Sequence, residues 1–437
     1  MQVDDMILVS VDDHVVEPPD MFEQHLADKW KSRAPRVVRK KDGCDVWLFE
    51  GAQIPNIGLN AVAGRPPKEY GVEPTSYDQL RRATWDVDAR IDDMNANGVL
   101  ASMCFPSFPS FAGQLWANCE DKELALVMLR AYNDWHVDQW CGAHPGRFIP
   151  LAAPILWDPD EMGNEIRRLA KKGCHAISFS ENPTKLGFPS LHDHYWDPLW
   201  QACSDEGTSV CIHIGSGEGM VFTSMDSPVD VMITVSPINV FGCAADLVWS
   251  RVLRDYPDLS IVLSEGGIGW IPYLLERMDY VYKQHHLWTH QDFAGKTPSQ
   301  VFREHITTCF IDDKTGVELR HHIGVDNITW ECDYPHSDST WPHSPESLAR
   351  CLEGVPDDEV NKISFENALR VFRLDPFATL SREECTVAAL RARAGHVDLE
   401  PRSQGGNPPV DDPNAAVTSQ HIIDQLSTAF ASPFEQA

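Results

Sequence analysis

The sequence predicts a single (β/α)₈ (TIM) barrel carrying an insertion after its first strand and an arm at its C-terminus. Three observations lead there. Short apolar runs alternate with longer segments of helical periodicity, the pattern of a parallel sheet built from βα units. Eight such runs occur, the number that closes a barrel. Polar, ligand-type side chains gather at the C-terminal ends of those runs, where a barrel of this kind keeps its chemistry.

The expected strands are Met6 to Val11, Val99 to Phe105, Phe148 to Ala152, Cys174 to Phe179, Ser209 to Ile214, Leu259 to Leu263, Ile306 to Ile311 and Asn327 to Glu331. Between them the periodicity predicts helices, among them Asp86 to Asn97, Lys122 to Cys141, Asp158 to Lys172, Asp197 to Glu206, Phe241 to Tyr256, Ile271 to Gln284 and Pro345 to Leu352. Residues 35–75 interrupt the alternation with a hairpin (CDVWLFEGAQIPN) and a Gly/Pro-rich stretch, placed where an insertion caps the active-site face. The barrel domain is expected to span residues 1–378. From 379 to 437 the Pro-, Gly- and Asp-rich linker argues against a packed core, and one more amphipathic stretch, IIDQLSTAF, follows it as the helix that ends the arm. An extended arm would leave the apolar face of Ser419 to Phe430 wet, so a homo-oligomer, at least a dimer, is expected through this arm.

Composition narrows the partners. The 437 residues carry 36 Lys and Arg against 65 Asp and Glu, and a formal charge of −29 repels phosphate backbones and anionic head groups. Nucleic acid and membrane are therefore excluded as expected partners, leaving a small-molecule substrate. The start, MQVDDMILVSVDDH, lacks the basic and long apolar regions of a signal peptide, and no run approaches the roughly 18 apolar residues of a spanning helix, which points to the cytoplasm. The twelve cysteines form no C-x-x-C pair and lie in apolar segments, so they read as buried, reduced thiols.

Four strand ends carry candidate chemistry. In Asp12-Asp13-His14 the strand alternation turns Asp12 and His14 to one side and Asp13 to the other, making D-x-H a chelating pair; the bland alternative is a polar loop. His213 stands in CIHIGSG, either as a ligand or as a core histidine. Glu265 precedes Gly266 and Gly267, and Asp333 follows the last strand in ECDYP, either as a ligand that also takes a proton from bound water or as a structural carboxylate. Imidazoles and carboxylates converging from separate strands suit a divalent transition metal. Glu17 either faces this group or caps a short helix. Ser178, with Ser180, Glu181 and Asn182, either binds substrate or makes a turn, and Phe105 and Trp341 are the aromatic substrate contacts expected near strand ends.

The opening VSVDDHVVEPPDMFEQHL, the strand CIHIGSG and the blocks LSIVLSEGGIGWIPYLLERMD and WECDYPHSDSTWP together resemble the amidohydrolase-related family that includes aminocarboxymuconate-semialdehyde decarboxylase and γ-resorcylate decarboxylase. The resemblance covers Met6 to Leu374. It implies one divalent ion, zinc foremost and manganese as the alternative, held by Asp12, His14, His213 and Asp333. Two departures stand out. Asp12 is one methylene shorter than the family's frequent Glu, and Glu265 replaces a catalytic His before the Gly-Gly. Glu265 then acts as a ligand, as a base or, if its pKa is raised, as an acid, unless it turns aside to an outer-helix Arg. His336 is the candidate to replace the missing imidazole as proton donor, or else a solvated loop residue. The implied activity is non-oxidative decarboxylation of a small aromatic or unsaturated carboxylic acid; hydrolysis of an ester, lactone or amide is the alternative. A catalytically silent barrel is the third reading, and a serine esterase is excluded because Gly215 to Gly217 lacks the G-x-S-x-G elbow.

Overall fold

The computed structural model describes residues 1–54, 58, 60–71, 76–217, 221–405, 409–410, 412 and 414–431. Its strands are β1 (Val9–Val15), β2 (Arg36–Arg39), β3 (Asp45–Phe49), β4 (Ala52–Ile54), β5 (Ala101–Pro106), β6 (Phe148–Ile149), β7 (Ala176–Phe179), β8 (Ser209–His213), β9 (Ile261–Ser264), β10 (Ile306–Phe310) and β11 (Ile328–Trp330). Each of the eight expected runs contributes one strand to a parallel sheet ordered β6-β5-β1-β11-β10-β9-β8-β7. The two end strands meet: just past β6, Ala152 donates its N–H to Ala176 (3.0 Å) and accepts that of Ser178 (2.9 Å), a parallel bridge to β7. β1 sits further along the chain than expected. β5 pairs with Asp13 at Cys104 and with His14 at Phe105, after an irregularity in the pairing between Ser10 and Asp13, and so keeps this end of β1 extended.

The helices start where carboxylates cap them. Asp86, Asp121 and Asp158 accept the N–H groups of Ala89, Leu124 and Glu161 and open the helices Val87–Asn97, Lys122–Trp135 and Pro159–Ala170. The first ends at Gly98, whose φ of 75° places it in the left-handed region; a Cβ there would stand 2.8 Å from Val387. Between β1 and β5 lies the three-stranded antiparallel sheet β2-β3-β4, whose β3–β4 hairpin is the expected one. Its Trp47 stacks 4.4 Å from Phe108 in the loop after β5, which ties this sheet to the C-terminal end of β5. Residues 55–57, 59 and 72–75 of the expected insertion lie outside the described residues.

Two expectations are corrected. The chain does not become a free arm at residue 379: the helix Val387–Arg393 buries Val387 and Leu390, and Val387 donates its N–H to the Met6 carbonyl at 2.9 Å. The linker's Pro and Gly content masked those two core residues. The terminal helix, Ser419–Ala431, begins docked on its own chain, where Val229 donates to the Val417 carbonyl, and Ser419 and Gln420 donate to those of Ser227 and Met225. The second correction concerns hydropathy, since Val229–Trp249 is long and apolar enough to cross a membrane by length and composition. Pro237 divides it into Val229–Val235 and Ile238–Trp249, and the latter buries Val240, Cys243, Ala244, Leu247 and Val248 against the body of the protein.

Candidate metal and active site

Strand alternation decides which residues of β1 meet. Asp12 and His14 face the centre of the sheet ends while Asp13 faces outward, where it accepts hydrogen bonds from Ser10 Oγ (3.0 Å), Tyr334 N–H (3.0 Å) and Ser102 Oγ. Burial pushes the Asp13 carboxyl up to about 6, against the pull of Arg90. Arg90, itself buried, donates to the carbonyls of His14 (2.5 Å) and Ala83 (2.8 Å) and so holds the end of β1 to the helix Val87–Asn97.

At the centre the expected ligands converge. His14 Nε2 lies 3.2 Å from Asp333 Oδ1 and 3.5 Å from Asp12 Oδ1, and His213 Nε2 lies 3.4 Å from Asp12 Oδ2 and 2.9 Å from Glu265 Oε2. Ligand atoms of Asp12, His14 and His213, and of His14, Asp333 and His336, fall within 4.8 Å of one another. The tautomer of His213 sharpens this arrangement. Its Nδ1 lies 2.5 Å from the Ile214 carbonyl and carries the proton, so Nε2 presents a lone pair to carboxylates that also present lone pairs. Both carboxylate oxygens of Asp12 and of Asp333, and the Nε2 atoms of His14 and His213, are buried without a hydrogen-bond partner. So many inward-facing acceptors fit a cation and nothing neutral.

The electrostatics agree. Burial, then Glu331, Glu265 and Asp333, hold the Asp12 carboxyl well above the usual carboxylate range. Burial and the neighbouring His336 and His213 keep His14 neutral, the form that ligates. Burial opposes charge on His336, but Asp333, 2.9 Å from its Nδ1, together with Glu265 and Asp338 outweighs burial and raises its pKa. His336 stacks on His14 with ring centroids 3.8 Å apart.

Two of these residues hold strained backbone: Glu265 and Asp333 have φ of 57° and 58°, in the left-handed region that non-glycine residues avoid. Neighbours fix both, because Glu265 donates its N–H to Glu331 Oε2 (3.1 Å) and Asp333 donates to the Asp12 carbonyl (2.9 Å). Sequence reasoning missed Glu331. Its spacing of two from Asp333 was the available signal, since alternation turns both inward.

The expected substrate contacts divide. Phe105 lies at the site, its ring 5.0 Å from that of His213, and Ser178 is buried with an unpartnered Oγ. Trp341 is elsewhere: it packs against Tyr334, under the Arg81 guanidinium, in the layer outside β11. The aromatic that takes its place at the site is Phe111, 4.2 Å from His213 and 5.3 Å from His14, unremarked in the sequence because it stands in a loop. Glu17 neither faces the cluster nor caps a helix, but accepts the N–H groups of Ser107 (3.0 Å) and Phe108 (2.8 Å). Ser180 and Asn182 make a turn, accepting from Asn182 N–H and Thr184 N–H. Glu181 spans to the next strand end, accepting from Gly217 N–H (3.3 Å) and Asn239 Nδ2 (3.2 Å).

Residues 24–374 match the family model described as amidohydrolase. The chain belongs to the amidohydrolase family. A γ-resorcylate decarboxylase of Rhizobium sp. (strain MTP-10005) is 24% identical over 362 residues, covering 76% of this amidohydrolase and 98% of the relative. Among solved structures, an amidohydrolase of Mycobacterium avium subsp. paratuberculosis K-10 matches with a TM-score of 0.62 and 20% identity over 84% of this chain and 99% of that one. A 5-carboxyvanillate decarboxylase of Novosphingobium aromaticivorans DSM 12444, complexed with manganese and 4-hydroxy-3-methoxy-5-nitrobenzoic acid, matches with a TM-score of 0.58 and 17% identity over 86% of this chain and 100% of that one.

Proposed function

We propose that this amidohydrolase is a metal-dependent, non-oxidative decarboxylase of a small aromatic carboxylic acid. One observation carries the reading: unpartnered, buried acceptors of Asp12, His14, His213 and Asp333 gather at the strand ends, in two trios (Asp12, His14, His213 and His14, Asp333, His336) that share His14. These four residues would hold one divalent ion. Two imidazoles favour zinc; manganese is the second choice, supported by the manganese in the carboxyvanillate decarboxylase. A bound ion supplies Lewis-acid polarisation of substrate oxygens and fixes the carboxylate in place.

The chain's own residues do the rest. Phe105 and Phe111 offer an apolar wall against which an aromatic ring stacks beside the two imidazoles. His336, its pKa raised by Asp333 beside it, is buried against His14 and serves as the acid. Its ring proton passes to the substrate carbon that bears the carboxylate; the carbon–carbon bond then breaks, its electron pair returns to the ring, and CO₂ departs. Glu265, 2.9 Å from the His213 lone pair, serves as a further ligand or as a base rather than as the acid. That same carboxylate favours the second reading, hydrolysis of an ester, lactone or amide, because it and Asp333 stand ready to accept a proton from water.

The bridge between Ala152 and Ile177 supports closure of the parallel sheet into a (β/α)₈ barrel, with residues 35–75 as a cap and the barrel body extended past 378 to about 394. The charge of −29 and a small-molecule site support a cytoplasmic enzyme. The deciding experiment is metal analysis of protein purified without added metal, followed by a screen of hydroxylated benzoates for CO₂ release beside esters, lactones and amides. Metal with CO₂ release supports decarboxylation; metal with hydrolysis alone replaces it by the second reading, and protein devoid of metal affinity overturns both.

A further inference from the structure

The ligand cluster stands at the C-terminal ends of the parallel strands; a second cavity, of about 420 Å³, opens at the opposite end, beside the starts of β8, β9 and β10. That volume is in the range of small-molecule sites. Ser209, which lines it, opens β8, and His213 closes the same strand, so at about 3.3 Å per residue roughly 13 Å separates the two. The helix Asn367–Phe372 explains why only part of this end is open. It packs Ala368 and Phe372 into the core that holds Ile7, Val9 and Val11, and its Arg370, with Arg373 just beyond it, forms one wall of the cavity. Three polar side chains that line the cavity, Ser209, His305 and Thr307, are otherwise buried.

The charges at this cavity choose the ligand. Arg303, Arg370 and Arg373 all line it, and among the described residues none of the three meets a carboxylate. Arg303 donates to the carbonyls of His322 (2.7 Å) and Ile323 (3.0 Å), Arg370 to that of Asp326 (2.6 Å) and Arg373 to that of Glu206 (3.1 Å). Arg370 and Arg373 each donate from one nitrogen, which leaves most of their N–H groups without a protein acceptor among the described residues. Two of the carboxylates at the cavity are already paired, Asp326 with Lys362 (2.7 Å) and Glu304 with Lys296 (2.5 Å), and neither lysine lines it. Three guanidinium charges therefore face one remaining carboxylate, that of Asp258, a surplus of two positive charges in a chain of net charge −29. Such a surplus draws in a dianion. Arg370 and Arg373 come from one turn of chain, so their charge is concentrated, which suits the two charges of one phosphoryl group better than two separated carboxylates.

The backbone is arranged around Arg373. It ends its helix at φ 54°, in the left-handed region where glycine is the usual occupant. A Cβ at Gly207, across the cavity wall, would fall on the Arg373 guanidinium. One position accepts strain and the other gives up a side chain, and the guanidinium is brought to the cavity.

We infer that the cavity at the starts of β8, β9 and β10 binds a phosphoryl dianion, free or as the monoester of a small metabolite, chiefly on Arg370 and Arg373. The inference is independent of the proposed reaction.

Isothermal titration calorimetry of the full chain as purified, at constant ionic strength, tests it with inorganic phosphate and glycerol 3-phosphate as probes and succinate as the dicarboxylate control. One phosphate site per chain is expected. Tighter binding of glycerol 3-phosphate assigns the site to an ester, and equal or weaker binding assigns it to free phosphate. Arg370→Gln should weaken phosphate by about tenfold or more, the loss of a charge-assisted hydrogen bond. Adding Arg373→Gly should abolish binding with unchanged circular dichroism, because glycine accepts the left-handed backbone without strain. The absence of saturable heat from both phosphate probes overturns the inference. So does a folded Arg370→Gln, Arg373→Gly variant that binds phosphate as the wild type does, which would place the phosphate elsewhere, at the ligand cluster for instance. Succinate bound as tightly as phosphate overturns the phosphoryl assignment.

Discussion

Glu17 offers a perturbation whose size follows from the structure. Its carboxylate is fully buried and takes two backbone N–H groups, from Ser107 and Phe108, on its two oxygens. Burial nevertheless pushes its pKa from 4.5 to about 7. The folded pKa lies above the unfolded one, so the folded state holds the proton more tightly. The stability this confers is complete below pH 4.5 and is lost as pH rises through about 7. At roughly 1.4 kcal/mol per pH unit between the two values, the loss approaches about 3 kcal/mol. Glu17→Gln removes the titration and leaves one N–H facing an amide, a pH-independent cost of about 1–3 kcal/mol. Urea denaturation of both proteins at pH 5.5 and 8.5 should therefore show the Gln variant gaining on the wild type by about 2 kcal/mol at the higher pH. Because Glu17 anchors the loop between Phe105 and Phe111, the same variant should also raise KM more than it lowers kcat. Parallel pH profiles for the two proteins would refute the reasoning: the two N–H bonds would then have cancelled the burial cost entirely.

Other expectations concern the site itself. His14→Ala with His213→Ala should give a folded protein without stoichiometric metal, read by elemental analysis; metal retained at one ion per chain would remove both residues from the ligand set. His336→Asn should keep the metal and lower turnover by about 10²-fold or more, the range for loss of a general acid. Glu265→Gln separates the roles of Glu265: a ligand loses about tenfold or more in metal affinity, a base loses turnover with metal retained, and full activity with full metal would exclude both. Val387→Asp, which buries a charge beside Gly98, should destabilise the protein by several kcal/mol, measured by urea melting.

Much of this was legible in the sequence, for identifiable reasons. Strands buried on both faces read as apolar runs, which is why all eight positions emerged, and period-two alternation separated Asp12 and His14 from Asp13. Where one reading carried less physics, it failed. Trp341 was placed at the site for its nearness to the eighth strand, yet nearness in sequence does not give direction, and stacking with Tyr334 and Arg81 carries the indole outward. Phe111 and Glu17 act through a loop whose path no periodicity encodes. Val387 and Leu390 are core residues that only the closing of the chain onto Met6 and Gly98 reveals.

Asp12 tests whether the cluster is built for a cation or merely tolerates one. Its oxygens are buried without hydrogen-bond partners, and Glu331, Glu265 and Asp333 crowd it. Without an ion, these carboxylates either repel one another or take up protons, and both cost folding stability. Asp12→Asn removes one negative charge at nearly constant volume. The metal-free variant should therefore melt above the metal-free wild type. Metal should reverse the order, because an ion that binds only the folded chain adds about 2.7 kcal/mol of stability at a free concentration of 100 times its dissociation constant. The variant, short of one anionic ligand, should respond only at higher metal concentration. Thermal melts with chelator and with added zinc or manganese compare the four states directly. If the chelated Asn variant melts below the chelated wild type, Asp12 is stabilising without an ion, and the crowding of carboxylates is not what makes this site receptive to metal.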